Sequence, residues 1–523
     1  MTTTSDPRPQ SIPSADRGQR RKIIVIGSGF GGLSAAIRLQ AQGHKVTIVE
    51  KRDKPGGRAY VYEQDGFTFD GGPTIITAPW LIHDLFELVG KKTEDYVKIV
   101  PIDPFYNIRF QDGTIFHYNS DRENILRQIR DINPEDVEGY LRFAKAGEKI
   151  YKKGFELIDQ PFTHLSDMIK IIPDLVRLQS QKSVAAFVNQ YIKDKRLQQV
   201  FSFHPLLIGG NPFQSTSIYA LIHTLEQKFG VWYAMGGTGA LVKALIRLFQ
   251  EIGGTVFLDT EVNEISINRQ TGLAQGVYVK GDQFLPADIV VSNADVAFTY
   301  MNLVPAQFRH KNTDKNIRGK QYSMSLFVLY FGTDRKYEQM AHHEILMGPR
   351  YRGLLEDIFK RMRLAEDFSL YLHRPTATEP SMAPGGCDCW YVLSPVPHVG
   401  GQADWKTIAQ PYRNAIIQYL EEHYLPDLSK HIVTAHYIDP LHFRDTLNSY
   451  LGSAFSVEPI LTQSAWFRPH NKSEDVPNLY FAGAGTHPGA GIPGVLSSGK
   501  IVADLIAKEQ FAFRGFSTTK TDN

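Results

Sequence analysis

The sequence predicts an α/β protein in which a Rossmann-type nucleotide-binding domain carries a mixed-sheet substrate domain and a helical cap. Residues 22–50 read as strand, glycine fingerprint, helix and strand, which is one complete nucleotide-binding unit. Residues 120–228 show the apolar spacing of amphipathic helices. Residues 300–465 contain strand-like apolar runs that suit a mixed sheet.

The nucleotide-binding unit begins with a short β-branched strand over residues 22–26. Gly27, Gly29 and Gly32 follow this strand in the spacing G-x-G-x-x-G. The first glycine permits a tight turn, the second lets the backbone approach a pyrophosphate, and the third lets the helix pack on the strand. The helix predicted over residues 33–42 presents free N–H groups and the positive end of its dipole to phosphate.

Glu50 ends the second strand of this unit, about 20 residues beyond the fingerprint, where an acidic residue meets ribose hydroxyls. Two further glycine-rich stretches follow, PGGR over residues 55–58 and DGGP over residues 70–73. Gly57 allows the backbone to approach a ligand closely, and Arg58 offers a fixed positive charge to a pyrophosphate. Because a nicotinamide cofactor needs no such additions, the nucleotide-binding domain is predicted to bind FAD.

Length and composition set wider limits. The chain has 523 residues, which exceeds the roughly 250–300 residues that one hydrophobic core supports, so several domains are expected. Its 57 Lys and Arg residues balance 55 Asp and Glu residues, which argues against a nucleic-acid-binding surface. Only two cysteines are present, Cys387 and Cys389, so no disulfide framework is expected and a cytoplasmic location fits.

No metal site is predicted. The cysteine pair cannot complete the four ligands of a structural zinc site. His342, His343 and Glu344 are adjacent in the sequence, and adjacent residues in a loop do not usually share one ion. We therefore expect these three residues to form a solvated face.

The fingerprint segment GSGFGGLSAAIRLQAQGHKVTIVEKRDKPGGRA and the following FTFDGGPTII resemble the flavin amine-oxidase superfamily, and more narrowly the bacterial-type carotenoid desaturase family. Two distant segments agree with this resemblance: MGGTG over residues 235–239 and NLYFAGAGTHPGAGIPGVLSSGKIVADLI over residues 478–506. The stretch THPGAGIPGV is the most specific part. The resemblance extends from residue 22 to about residue 508.

The resemblance implies roles for these distant segments. A strand over residues 255–267 would place backbone near Val262 against the adenine part of FAD. The closing segment would place backbone N–H groups beside the flavin ring, at Gly483, Ala484 and Gly494. A helix from about Pro493 would direct its positive end toward the negative charge of reduced flavin.

The resemblance also divides the chain. The FAD-binding domain is predicted to be discontinuous and to take residues 22–80, 230–300 and 470–510. The substrate domain takes residues 81–120 and 300–465, and the cap takes residues 121–229. Residues 1–21 and 511–523 are predicted to be disordered or loose tails.

The cap is predicted to face a membrane. Residues 168–178 (MIKIIPDLVRL) mix apolar side chains with Lys170 and Arg177, as segments at a membrane interface do. The alternative is an ordinary cap helix broken at Pro173. A carotenoid substrate dissolves only in membranes, so the resemblance implies peripheral membrane association. The longest apolar run, over residues 324–331, is too short to span a bilayer and predicts a buried strand.

The chemistry implied is removal of two hydrogens from a C–C bond, one as hydride to flavin N5 and one as a proton to a base or water. His487 lies in the loop expected beside the flavin and is the first candidate to handle the proton, although bonding of the loop backbone would explain it equally. Arg444 and Asp445, together with Asp295, are further candidates.

The implied function is stepwise desaturation of 15-cis-phytoene toward neurosporene or lycopene, with oxygen or a quinone as the final electron acceptor. The motifs leave alternatives open. These are a desaturase of C30 diapophytoene, a related carotenoid oxygenase or ketolase, an amine oxidase, and a flavin-holding protein without turnover.

Overall fold

The computed structural model describes residues 20–517 and has a parallel sheet, a mixed sheet and a helical cap. This architecture confirms the predicted α/β class with its Rossmann-type domain. Residues 1–19 and 518–523 of the two predicted tails lie outside the described residues. The last described residues belong to the helix Ile492–Ser517, which continues past the predicted boundary at residue 510.

The parallel sheet is the centre of the nucleotide-binding domain. Its strands, in spatial order, are Leu479–Phe481, Ile289–Ser292, Lys22–Ile26, Lys45–Val49 and Thr255–Phe257. Both faces of the central strand are covered, which explains why it is a continuous apolar run rather than an alternating one. Ile23 and Val25 pack against helices, whereas Ile24 and Ile26 pack against a small antiparallel sheet.

The elements that cover the parallel sheet come from three distant parts of the chain. The helices on one face are Phe30–Ala41, Trp80–Glu87, Gly237–Glu251 and Ile492–Ser517. The antiparallel sheet on the other face consists of Val262–Ile267, Ala274–Val279 and Gln283–Pro286. The first helix begins three residues earlier than predicted, because the glycine fingerprint itself forms its first turn.

The single strand predicted over residues 255–267 is wrong. The segment forms two strands that belong to different sheets, Thr255–Phe257 and Val262–Ile267. They are separated at Asp259, whose φ of 49° is in the left-handed region and turns the chain. An apolar pattern alone does not reveal such a change of sheet.

The mixed sheet forms the substrate domain. Its strands, in spatial order, are Ile432–Ile438, Ser325–Thr333, Asp388–Val396, Leu370–His373, His343–Leu346, Tyr106–Arg109 and Ile115–Tyr118. Neighbours are antiparallel except His343–Leu346 with Tyr106–Arg109, which are parallel. The strand Ser325–Thr333 is buried at every position, as predicted for this run. Its side chains alternate between the cap and the helix Trp405–His423.

The cap is helical throughout, and its helices are Arg122–Ile132, Asp136–Ile158, Leu165–Arg177, Val184–Val188, Lys195–Ser202 and Leu221–Phe229. Asp121 and Asp194 accept backbone N–H groups at the start of two of them, as N-cap residues do. The break at Pro173 that the alternative interpretation of this segment assumed is absent, because the helix Leu165–Arg177 continues through it. Across residues 20–517, no helix combines the length and apolar character needed to cross a membrane.

Short elements connect these layers. Val61–Gln64 and Phe67–Asp70 form a hairpin, and Ile99–Ile102 forms a separate antiparallel pair with Val231–Ala234, which is distant in sequence. The remaining short helices are Val296–Phe298, Asp314–Arg318, Tyr351–Glu356, Leu428–His431 and Pro440–Asp445.

Candidate active site

A cavity of about 560 Å³ lies where the parallel sheet, the mixed sheet and the cap meet. One end is lined by Gly27 and Glu50, at the carboxyl ends of two parallel strands, and by Val262, at the start of a strand of the antiparallel sheet. The other end is lined by apolar side chains of the cap, including Met168 and Leu175. The position at the strand ends is where open α/β sheets bind their ligands, and the volume is in the range of ligand sites.

Glu50 is buried at the nucleotide end of the cavity. Its carboxylate accepts hydrogen bonds from the backbone N–H of Ser28 at 3.0 Å and from the Ser28 hydroxyl at 2.6 Å. Its other oxygen accepts from the backbone N–H of Arg52 at 3.0 Å. An ionised carboxylate has further lone pairs, so Glu50 can still accept ribose hydroxyls. The structure thus ties the acid at the strand end to the glycine turn.

The fingerprint glycines are packed in the way the motif requires. Gly27 has a φ of 91°, which favours glycine. A Cβ at Gly32 would overlap the carbonyl oxygen of Gly27, so this glycine sets the contact between helix and strand. A Cβ at Gly29 would lie 2.7 Å from the side-chain oxygen of Asn293, a cavity residue that the sequence analysis missed.

Val262 lies on the same part of the cavity wall as Glu50. The backbone N–H of Thr260 donates to the carbonyl of Glu50 at 2.9 Å, which holds the segment before Val262 against the end of the second parallel strand. Val262 stands at the start of its strand rather than within a longer one.

Arg58 is a half-buried cation on the cavity wall. Its Nη2 donates to the hydroxyl of Ser449 at 2.8 Å, while its Nε has no hydrogen-bond partner among residues 20–517. Burial lowers the pKa of Arg58, and the carboxylate of Asp295 opposes that shift. A guanidinium with an unused donor fits an anionic pyrophosphate.

Asp295 lies close to Arg58 and also lines the cavity. One of its carboxylate oxygens accepts the backbone N–H of Phe298 at 3.1 Å and caps a short helix. The other oxygen has no hydrogen-bond partner among the described residues. Burial raises the pKa of Asp295 above the usual aspartate value. The arrangement fits a residue that balances the Arg58 charge and orients its loop.

The closing segment lines the cavity beside the fingerprint helix. A Cβ at Gly31 would lie 2.8 Å from the Cα of Gly483, so the two backbones touch. Gly483 donates its N–H to the hydroxyl of Ser498 at 2.7 Å. A Cβ at Gly494 would lie 2.6 Å from the carbonyl oxygen of Gly489, which keeps the loop tight at the start of the helix Ile492–Ser517.

Ala484 follows Gly483 and lines the cavity. Its carbonyl oxygen accepts from Nη2 of Arg468 at 2.7 Å. The same buried guanidinium donates to the carbonyls of Thr486 and Val457. Arg468 therefore fixes the loop from inside the protein, a role for which the sequence carries no local signal.

His487 is buried on the cavity wall. Its Nε2 lies 3.3 Å from the carbonyl oxygen of Leu157 in the cap, which assigns the hydrogen to Nε2. Its Nδ1 has no hydrogen-bond partner within residues 20–517. Burial lowers the pKa of His487 to about 4, so the ring is neutral at physiological pH. The structure therefore shows both features considered for this residue, a backbone bond and an open proton acceptor.

The structure does not bring Arg444 and Asp445 to the cavity. Their side chains are exposed and pair with each other, with Arg444 Nε 2.6 Å from the Asp445 carboxylate. Neither residue lines the cavity wall. A solvent-exposed ion pair cannot take a proton from a buried substrate, so these two candidates are set aside.

Glu226 is a cavity residue that the sequence analysis missed. Its carboxylate is fully buried and accepts from the hydroxyl of Tyr106 at 2.7 Å and from Nε2 of His204 at 3.2 Å. The three residues come from the mixed sheet and two different cap segments. Glu226 is therefore a second candidate to hold a proton at the cavity.

The predicted solvated face at His342, His343 and Glu344 is wrong, because all three residues are buried. The strand His343–Leu346 is paired on both sides within the mixed sheet. Glu344 is compensated there by Arg109, whose Nε lies 2.7 Å from its carboxylate. At these three positions, polar and charged residue types therefore do not mean that the side chains are exposed to solvent.

Taken together, the residues present fit FAD. Glu50 and Val262 would contact the adenosine part, and Arg58 with the fingerprint backbone would hold the pyrophosphate. Gly483, Ala484 and Gly494 would lie beside the flavin ring.

Buried neutral histidines predict acid lability. Five histidines among the described residues have pKa values lowered to about 4, chiefly by burial: His44, His398, His436, His442 and His487. Unfolded histidines bind protons near pH 6.5, so stability is complete above that pH and falls as the pH drops toward 4.

We expect the free energy of unfolding to fall as the pH drops from about 7 to about 5, by about 1.4 kcal/mol per pH unit for each extra proton that the unfolded chain binds. Urea unfolding at each pH measures this, and its midpoint should fall in parallel. Buried Glu458, with a pKa raised to about 7, acts in the opposite direction, as do Asp295, Asp439 and Asp504, whose pKa values burial also raises; the five histidines outnumber them. The variant His487→Gln should reduce this pH dependence by the contribution of about one proton. A midpoint that does not change over this range would contradict the prediction.

Comparisons with known proteins agree with this geometry. The sequence profile of the family "Flavin containing amine oxidoreductase" matches residues 30–507. The phytoene desaturase (lycopene-forming) of Pantoea ananas is 49% identical over 494 residues, which cover 94% of this chain and 99% of that protein. The phytoene desaturase (neurosporene-forming) of Cereibacter sphaeroides is 43% identical over 503 residues, with 95% and 96% covered.

Among solved structures, a fatty acid isomerase from P. acnes that produces CLA superposes with a TM-score of 0.63. Its sequence identity is 14%, and the match covers 93% of this chain and 98% of that one. At that identity the likeness shows a shared fold and nothing about the substrate.

Proposed function

Because this chain belongs to the bacterial carotenoid desaturases within the flavin-containing amine oxidoreductases, we propose that it desaturates 15-cis-phytoene stepwise toward neurosporene or lycopene. It is an FAD-dependent oxidoreductase that acts on CH–CH bonds. The observation that carries the proposal is the near full-length identity to phytoene desaturases of both product types.

The cavity wall suits an apolar polyene. Beyond the nucleotide end, side chains of the mixed sheet such as Leu326, Val328 and Ile345 face the cap across the cavity. Cap residues such as Leu206 and Leu225 line the opposite side. Such a wall binds hydrocarbon by excluding water, at about 25 cal/mol for each Å² of apolar surface buried.

Bound FAD supplies the two-electron acceptor for each desaturation. The protein holds the polyene in a dry cavity and accepts the proton that leaves the neighbouring carbon. Nδ1 of His487 is the proposed acceptor, because the ring is neutral, faces the cavity and uses only Nε2 for the backbone bond. Glu226 is the second candidate, with Tyr106 and His204 holding its carboxylate in place.

The proposed final electron acceptor is a quinone or oxygen. A quinone would reach the enzyme from the membrane phase. Reoxidation of reduced enzyme by a water-soluble quinone under anaerobic conditions, compared with reoxidation by air, separates the two acceptors.

Peripheral membrane docking is proposed through the cap helix Leu165–Arg177, called the surface helix here. Its exposed face carries apolar side chains at helical spacing: Leu165 at 51%, Ile169 at 58%, Ile172 at 47% and Val176 at 62% exposure. An adjacent face of the same helix points inward, and its side chains Met168, Ile171 and Leu175 line the cavity. A helix with one face on the bilayer and the other on the cavity would let an apolar substrate pass without crossing water.

We expect the double substitution Ile169→Glu and Val176→Glu to reduce binding to vesicles of phosphatidylcholine and phosphatidylglycerol by at least about tenfold, since two apolar anchors are replaced by charge. Cosedimentation with the vesicles measures this. Val433→Glu is the matched control, because Val433 is exposed to a similar degree, at 53%, but lies on an edge strand of the mixed sheet. Equal binding of all variants would contradict docking through the surface helix.

The function itself is tested by pigment analysis of a phytoene-accumulating bacterium that expresses this chain. Coloured polyenes with more conjugated bonds than phytoene are expected, and the end product identifies the number of steps. Unchanged phytoene would reject the proposal. Hosts that make diapophytoene or lycopene would then test the C30 and oxygenase alternatives.

A further inference from the structure

Three buried histidines meet in the substrate domain: His342, His343 and His373, called the histidine cluster here. One ring nitrogen from each lies within 4.8 Å of the others. His343 and His373 are opposite each other on adjacent antiparallel strands, and His342 directly precedes the first of these strands. All three side chains are almost completely buried, at 4%, 0% and 0% exposure.

The ring nitrogens of the histidine cluster are used unevenly. Nδ1 of His342 hydrogen-bonds the hydroxyl of Thr378 at 2.6 Å, and Nδ1 of His343 hydrogen-bonds the hydroxyl of Tyr371 at 2.7 Å. Nε2 of both rings and both nitrogens of His373 have no hydrogen-bond partner within residues 20–517. A buried polar atom without a partner destabilises the fold, so several such atoms at one place indicate a ligand common to all.

A carboxylate beside the histidine cluster favours a bound cation. Imidazole nitrogen is the commonest metal ligand in proteins. Asp70 supplies negative charge, with Oδ2 3.6 Å from Nε2 of His373 and without a hydrogen bond in the described chain.

We propose that the histidine cluster binds a divalent transition-metal ion of the zinc class, with the three imidazoles as ligands. Imidazole nitrogens suit Zn²⁺ and its neighbours, whereas Mg²⁺ and Ca²⁺ prefer oxygen ligands. The hydroxyls of Thr378 and Tyr371 hold Nδ1 of two rings and leave Nε2 for the ion, which is the outer-shell arrangement common in metal sites. Asp70 either orients His373 or completes the charge balance.

The location gives the ion a structural role. Tyr371 lines the cavity and hydrogen-bonds both His343 and Thr74. The other oxygen of Asp70 accepts from the backbone N–H and the hydroxyl of Thr238, at the start of the helix Gly237–Glu251. An ion bound by the cluster therefore connects two strands of the mixed sheet, through Asp70, to the start of the helix Gly237–Glu251.

The test begins with untagged wild-type protein, since an affinity tag of histidines would add a site. We expect one ion per chain after loading with Zn²⁺, a higher thermal unfolding midpoint, and a ligand-field absorption spectrum of nitrogen-coordinated Co²⁺ on titration with that ion. A wild-type protein that binds neither ion, and whose midpoint neither ion changes, overturns the proposal.

Variants locate the site. His343→Gln and His373→Gln should each lose the stoichiometric ion, and Tyr371→Phe, which keeps the ring, should weaken binding by about 10- to 100-fold. His436→Gln is the matched control, because His436 also has both ring nitrogens unpartnered within residues 20–517 but lies on another strand of the mixed sheet. If Tyr371→Phe and either of the single histidine variants bind the ion with wild-type affinity, the ion lies elsewhere and the proposal is overturned. If the histidine variants do not fold, Tyr371→Phe and the Co²⁺ spectrum of the wild type decide.

Discussion

Gly32→Ala is expected to weaken FAD binding, so that the purified enzyme carries less than one FAD per chain. The added methyl group would overlap the carbonyl oxygen of Gly27, which is backbone and cannot move aside cheaply. The helix Phe30–Ala41 must then shift away from the strand Lys22–Ile26, and its N-terminal N–H groups no longer point at the pyrophosphate. Overpacking of this kind costs about 1–3 kcal/mol, or roughly 5- to 150-fold in affinity if all of it falls on the bound state.

The flavin-to-protein absorbance ratio of purified enzyme measures this effect, followed by FAD titration of the apoprotein. Gly385→Ala is the control, because a Cβ at Gly385 would have no atom within 4 Å and its backbone needs no left-handed angle. Full flavin content in Gly32→Ala would show that the helix and strand are not held at the spacing described above.

His487→Ala is expected to lower kcat by about 10²- to 10⁴-fold, the usual contribution of a positioned general base. The affinity for phytoene should change little, because the apolar walls supply the binding. FAD content should also stay near one per chain, since Arg468 and Asn471 hold the backbone around residue 487 independently. His44→Gln is the control: His44 is buried and has a similarly lowered pKa, but it does not line the cavity.

The two explanations for His487 give different results. Loss of kcat with FAD retained supports proton acceptance at Nδ1. Loss of FAD, or a higher KM with unchanged kcat, assigns the residue a structural role through its bond to Leu157. In that case Glu226→Gln becomes the variant expected to lower kcat.

Sequence reasoning located the nucleotide end of the site because its signal is local. Gly27, Gly32 and Glu50 are separated by spacings that a single βαβ unit imposes, so their relation can be recognised without the rest of the chain. The structure places Glu50 on the glycine turn through Ser28, as that geometry requires. The closing segment was recognised by its resemblance to a family, and its buried-strand pattern, its glycines and Pro493 agreed with that assignment.

The remaining site residues have no local pattern. Glu226 accepts a hydrogen bond from Tyr106, a residue 120 positions away in sequence, and His343 lies opposite His373 on an adjacent strand. Arg444 and Asp445 show the reverse case, since a charged pair in a promising segment is simply exposed. Burial of a polar side chain depends on contacts that are distant in sequence, and composition does not encode them.

The central strand Lys22–Ile26 acquires one neighbour from residues 289–292, and the strand Leu479–Phe481 completes the sheet beyond it. The helix Phe30–Ala41 also gains its contact with the helix Ile492–Ser517 only late in synthesis, since Ser34 donates its hydroxyl hydrogen to the carbonyl of Leu496. The strand Lys22–Ile26 can pair early with Lys45–Val49, but at a synthesis rate of about 5–20 residues per second its other edge stays unpaired for roughly tens of seconds. The nascent chain should depend on chaperones, and a ribosome that stops before residue 479 releases a polypeptide that cannot complete its own nucleotide-binding domain.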